Sequence, residues 1–175
     1  MSMSTVEIDY CRFSDYTYSD KDKLESKRTT QGNFLHIVLS VNLIVKNSNF
    51  AHGLAATGGA VYIQGLSKVS FDNCEFTDNY STSFGGSIFA SGYEKLSIAN
   101  TEFVRSNSTL KGSDIYAQFS DHFLDLAKVS ISGTSNQIAI YAESVLFTGR
   151  SLKINGNRRL AEKGAGITCI NCKLF

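Results

Sequence analysis

Asp121-His-Phe-Leu-Asp125 is the one place in this 175-residue chain where a histidine sits among carboxylates. A metal needs three or four converging ligands, and the segment offers only Asp121, His122 and Asp125. An exposed turn is the plainer reading, and no metal or other cofactor is expected. Four aromatics, Tyr62, Phe89, Tyr116 and Tyr141, recur at matching places along the chain. They form an outward stripe that either stacks on itself or offers a platform for sugar rings or a partner surface. Asp9 and Asp72 fall in one outward column, roughly 9.6 Å apart at about 4.8 Å per layer, with Lys46 between them. That lies at the edge of the range for an inverting glycosidase pair.

Cys11, Cys74 and Cys172 fall on a shared inward position with Ser48, Thr101 and Thr134. Cys11 and Cys74 are two layers apart, beyond the roughly 7 Å Cα limit for a disulfide, so buried free thiols are expected. The Cys169-Ile-Asn-Cys172 spacing invites a zinc or redox reading, but there is no second Cys pair and the tetrapeptide overlies the repeat. Two glycosylation sequons, Asn79-Tyr-Ser81 and Asn107-Ser-Thr109, fall in segments expected to be exposed loops.

These groups are positioned by a repeat. Val69-Ser-Phe-Asp-Asn-Cys-Glu-Phe76 recurs as Leu96-Ser-Ile-Ala-Asn-Thr-Glu-Phe103, with earlier copies at Leu43–Phe50 and Val6–Phe13. A second element precedes each copy: Gly58-Gly-Ala-Val-Tyr-Ile63, Gly85-Gly-Ser-Ile-Phe-Ala90, Gly112-Ser-Asp-Ile-Tyr-Ala117 and Ile138-Ala-Ile-Tyr-Ala142. Self-similarity at 20 to 50 residues implies stacked units rather than one globular core. Period-two alternation makes Val61–Ile63 a strand with one face buried. Val69 and Phe71 share one parity and Cys74 and Phe76 the other, so the chain must turn at Asp72-Asn73. Asparagine tolerates the left-handed backbone of such a corner, and its amide can bond the equivalent amide one layer away. Asn47, Asn73, Asn100 and Asn171 are therefore expected as structural corners.

The expected fold is all-β, a right-handed parallel β-helix with three sheets, about seven circuits and a length of about 30 Å, open at both ends. One inward column reads Val6, Leu43, Val69, Leu96, Val129, Val145 and Ile167; the next reads Ile8, Val45, Phe71, Ile98, Ile131 and Phe147. Phe119–Leu126 is read as a lengthened turn, and 14–33 as an inserted polar loop in a single segment spanning 1–175.

Bulk properties narrow the function classes. With 17 basic and 16 acidic residues there is no electrostatic footprint for nucleic acid. No secretory signal is visible, and the most apolar run, Phe34–Val45, is too short to cross a bilayer as a helix. The complete lack of proline suits a chain made of hydrogen-bonded strands.

Gly58-Gly-Ala-Val61, Gly85-Gly-Ser-Ile88 and Phe76-Thr-Asp-Asn79 resemble the repeat of polymorphic outer-membrane proteins, a right-handed β-helix family with autotransported surface adhesins. The periodicity is similar, more distantly, to the pectin-lyase-like superfamily. The resemblance implies a non-catalytic structural or adhesive solenoid, at the cell surface or within another large assembly. Its partners would be further rungs or subunits at the open ends, with a glycan as a second class of ligand. One alternative is a carbohydrate-active enzyme, a polysaccharide lyase or glycoside hydrolase, using Tyr62, Phe89, Tyr116, Tyr141, Asp121, His122 and Asp125. Another is an intracellular scaffold subunit, suggested by free thiols and the missing signal.

Overall fold

A computed structural model describes residues 4–14, 30–133, 138–155 and 166–174, and every regular element among them is a β-strand. The strands stack in parallel as a β-solenoid. The first sheet holds seven: β1 (Ser4–Asp9), β4 (Val41–Lys46), β8 (Lys68–Asp72), β12 (Lys95–Ala99), β16 (Phe123–Ala127), β19 (Leu146–Arg150) and β22 (Lys173–Leu174). The second holds β2 (Arg12–Ser14), β5 (Asn49–Ala51), β9 (Glu75–Thr77), β13 (Glu102–Val104), β17 (Ser130–Ser132) and β20 (Lys153–Asn155). The third holds β3 (Leu35–Val38), β7 (Val61–Gln64), β11 (Ile88–Ser91), β15 (Ile115–Gln118), β18 (Ile140–Glu143) and β21 (Ile167–Ile170).

A fourth, three-stranded sheet lies where the sequence suggests a polar return loop: β6 (Leu54–Thr57), β10 (Tyr80–Phe84) and β14 (Asn107–Ser108). The central rungs are therefore four-sided. Small polar side chains disguise these strands, because Ser81 and Ser108 point into the core while paired with Ala55 and Ser81 respectively.

Each corner turns on one left-handed residue. Between the first and second sheets these are Tyr10, Asn47, Asn73, Asn100, Lys128 and Ser151, with φ of 47–55°. Asn47, Asn73 and Asn100 thus occupy the corner expected of them. Asn171 is also left-handed, at φ 53°, but it pairs with Ser144 on the corner from the third sheet to the first. At the entry to the third sheet, Gly58 and Gly85 supply φ of 63° and 62°. A Cβ on the following Gly86 would collide with the carbonyl oxygen of Ser113 in the next rung, so the second glycine is required by the close approach of two backbones.

Inside, Phe13, Phe50, Phe76 and Phe103 stack at 4.8, 4.7 and 4.8 Å with planes within 9° of parallel. Each fully buried ring contributes about 1.5–3 kcal/mol by leaving water. Ile131 and Ile154 continue this column.

The register from Phe123 onward differs from the expected one. Leu96 pairs with Leu124 and Ile98 with Leu126, so the second half of Phe119–Leu126 belongs to strand β16 rather than to a long turn. The first-sheet columns are Val6, Leu43, Val69, Leu96, Leu124, Phe147 and Leu174, and Ile8, Val45, Phe71, Ile98, Leu126 and Gly149. Val129 joins Cys11, Ser48, Cys74 and Thr101 at the corner, Ile131 lies over Phe103, and Ile167 lies over Ile140 in the third sheet. Both Leu124-Asp-Leu126 and Val129-Ser-Ile131 alternate apolar and polar, and parity alone does not choose between them. Thr134 lies outside the described residues.

Of the expected insertion 14–33, only its two margins fall among the described residues. Ser14 ends β2, while Gln31 bridges Thr57 and Asn33 donates its backbone N–H to Gly59 at 3.4 Å; residues 15–29 lie outside the described residues.

Candidate functional site

The aromatic stripe is a spine, not a platform. Tyr62, Phe89, Tyr116 and Tyr141 stack at 5.1, 5.5 and 5.2 Å with planes within 9° of parallel. All four are buried, between 4% and 7% exposed. Phe84 closes on Tyr116 at 4.9 Å, His36 on Tyr62 at 5.0 Å, and the Lys111 ammonium sits 4.4 Å from the Tyr141 ring centroid. Outward on the third sheet therefore does not mean solvent-facing. Tyr62 and Tyr116 donate their hydroxyls to Gln64 and Gln118 at 2.8 and 2.9 Å. Burial, and then the charge of Glu143, pushes the Tyr116 phenol up to about 12. No face of this stripe is left for a sugar ring to cover.

Asp121, His122 and Asp125 do not converge. Asp121 precedes β16 and borders a recess shared with Ser144, Asn171 and Lys173. Asp125 is an outward residue of β16 and lines a different recess of about 430 Å³ with Lys95, Phe123, Thr148 and Arg150. Its carboxylate accepts the Thr148 hydroxyl at 2.7 Å and lies 3.8 Å from the Arg150 guanidinium. The exposed His122 borders neither recess; its carbonyl receives the Leu146 N–H at 3.2 Å. Among the described residues no three His, Cys, Asp or Glu side chains come together as metal ligands would.

Asp9 and Asp72 do flank Lys46 across two rungs, as expected. Their carboxylates are taken up by the corner: Asn47 donates to Asp9 at 2.8 Å and Asn100 to Asp72 at 2.7 Å. The Lys46 ammonium pairs with Glu7 at 2.9 Å instead of with either aspartate.

The sequons are not on exposed loops. Asn79 is 1% exposed; its amide donates to the Phe50 carbonyl at 2.9 Å, and its oxygen accepts the Gly53 N–H at 2.8 Å. The folded chain has no room for a glycan there. Asn107 is half-buried within β14.

A group absent from the sequence-based candidates is Asp114. It sits one residue before β15, in register with Ala60, Ser87 and Ala139, and is fully buried. Neither carboxylate oxygen has a hydrogen-bond partner. Burial drives its pKa well above the usual carboxylate range, with the nearby Ser106 hydroxyl pulling the other way. The signal was present in the sequence: aligning Gly112-Ser-Asp-Ile115 with Gly85-Gly-Ser-Ile88 places an acid where the neighbouring rung has serine.

No family model matches this chain, and neither a curated protein nor a solved structure matches it.

Proposed function

We propose that this solenoid is a non-catalytic, rigid scaffold element that joins further parallel rungs at its two ends, in the manner of the polymorphic outer-membrane repeat it resembles. One observation carries the reading: at each end the last described strands pair on one side only. Among the described residues, β1, β2 and β3 each have a single neighbour, as do β20, β21 and β22. Their apolar residues lie open, Val6 at 45%, Ile167 at 36% and Leu174 at 69% exposure. Unpaired N–H and C=O groups beside exposed apolar side chains are a template for another strand. A contact that joins one end to the unlike end of a second copy is heterologous and grows into an open array.

Sedimentation velocity across a concentration series tests this reading. The chain should associate as concentration rises, and Val6→Lys together with Leu174→Lys should abolish it, since inward-pointing lysines on edge strands block pairing. A monomer at every concentration, with no strand-bearing partner captured at either edge, would sink the scaffold reading.

A second reading rests on the recess lined by Lys95, Phe123, Asp125, Thr148 and Arg150. An aromatic beside a carboxylate and two cations suits an acidic sugar, which supports a carbohydrate-active role. Turnover of acidic polysaccharides that vanishes in Asp125→Asn would favour it over the scaffold.

A further inference from the structure

Cys169 and Cys172 stand on either side of the left-handed corner residue Asn171. Cys169 is an inward residue of β21, directly over Ala142. The Cys172 sulfur lies 3.5 Å from the carbonyl oxygen of that same Ala142. The backbone of Cys169 and the sulfur of Cys172 therefore meet the same residue of the rung below. Both cysteines are half-buried and packed against the core from its end.

The other two cysteines make the contrast. Cys11 and Cys74 share a corner column with Ser48 between them, two rungs apart, beyond the roughly 7 Å that a disulfide spans. Cys74 is 4% exposed. Sequence spacing groups Cys172 with Cys74; the register instead sets Cys172 over Val145 and beside Cys169. That removes the reason for treating the Cys-x-x-Cys tetrapeptide as two unrelated core thiols.

We propose that Cys169 and Cys172 are a redox-active dithiol that a small disulfide oxidant converts to an intrachain disulfide, clamping the corner between β21 and β22. The thiolate of one cysteine attacks a sulfur of oxidised glutathione, breaking its S–S bond and releasing one glutathione thiolate. The second cysteine, once deprotonated, attacks the protein sulfur of this mixed disulfide, forming the Cys169–Cys172 bond and releasing the second glutathione. Two protein thiols are oxidised, one glutathione disulfide is reduced to two thiols, and the two cysteine protons end on the departing glutathiones. The resolving step is intramolecular, so it outruns attack by a second oxidant molecule. Burial, and then the adjacent Cys172, pushes the Cys169 thiol up to about 12, so exchange quickens as pH rises.

The bond would act beside a briefly paired strand. β22 is two residues long and exposed, and it touches the stack through Leu146 and Phe147 alone in its sheet. The proposal stands apart from the scaffold reading, since it concerns one chain.

The test equilibrates the full chain with reduced and oxidised glutathione, quenches with acid, alkylates and weighs the products. The expected product carries two alkyl groups, on Cys11 and Cys74, where the fully reduced chain carries four, with Cys169 linked to Cys172 at the loss of two hydrogens. Cys169→Ser and Cys172→Ser should each trap a lasting glutathione adduct on the remaining thiol. The same titration in urea should need about tenfold more oxidant, because the fold holds the sulfurs together. A stable glutathione adduct on the unaltered chain, full alkylation of both cysteines at excess oxidant, or equal oxidant demand in urea would each overturn the proposal.

Discussion

Asn73 donates its side-chain amide to the amide oxygen of Asn47, one rung away, at 2.7 Å. Both residues are left-handed, and the bond ties one corner to the next. The ladder stops there, because Asn100 turns its amide to Asp72 instead. Asparagine thus does two jobs at this corner: it accepts the backbone conformation and it links rungs.

Replacing Asn73 by alanine should therefore cost about 1.5–3 kcal/mol, from the lost hydrogen bond together with left-handed strain. Asn73→Gly should cost less, since glycine keeps the conformation and forfeits only the bond. Urea unfolding of the two variants measures the difference. Equal losses would mean that backbone conformation is not part of the asparagine's role.

Asp114→Ala should stabilise the fold at pH 7 by about 1–3 kcal/mol, the cost of a buried polar group without partners. Alanine fits, because Ala60 and Ala139 occupy the same column. The folded-state pKa of Asp114 is raised, so its contribution is full below about pH 4 and is lost as pH rises toward that folded value. No charged group among the described residues contributes to this shift. The stability gap between variant and parent should therefore widen from pH 4 upward; a constant gap would contradict the buried-acid account.

Phe89→Ala should cost about 3–5 kcal/mol, as expected for an aromatic removed from the middle of a packed stack. The neighbouring Tyr116 supplies a pH test. Its folded pKa of about 12 exceeds the usual value near 10, so its stabilisation is full below about pH 10 and fades as pH rises through about 12. Ultraviolet titration should show Tyr116 among the phenols that ionise only with alkaline unfolding, together with the buried Tyr93. A neutral loss for Phe89→Ala, with Tyr116 titrating freely, would restore the stripe as an open platform.

Gly86→Ala should prevent a native stack or destabilise it by more than about 4 kcal/mol, since its Cβ would meet the Ser113 carbonyl. Circular dichroism and thermal unfolding read this directly. A variant as stable as the parent would show that the rungs can part at that point without loss.

Of the candidate site, the sequence could name the aromatic stripe and the acidic cluster but not what covers them. Tyr62, Phe89, Tyr116 and Tyr141 share an outward parity that is correct, yet Phe84 and Lys111 come from the segment after the second sheet and cover them. Parity reports which face of a sheet a side chain takes; it carries no information about which distant segment lies across that face. The same limit hid Asn79, whose polar sequon gave no hint that its amide would be satisfied by Phe50 and Gly53 of the preceding rung.

By itself, the sequence determined the solenoid. Val61-Tyr-Ile63 and Val69-Ser-Phe71 carry a strict period of two, and Asn73 marks the reversal of parity before Cys74 and Phe76; these are local properties of the chain. The tertiary structure alone decided the register from Phe123 onward, the fourth sheet, and the company kept by Asp114 and Cys172. Leu124-Asp-Leu126 and Val129-Ser-Ile131 present the same local pattern, so only backbone pairing across rungs could say which of them lies over Leu96 and Ile98. That choice then propagates, setting Cys172 beside Cys169 rather than beneath Cys74, because in a stacked chain every later rung inherits the register of the one before it.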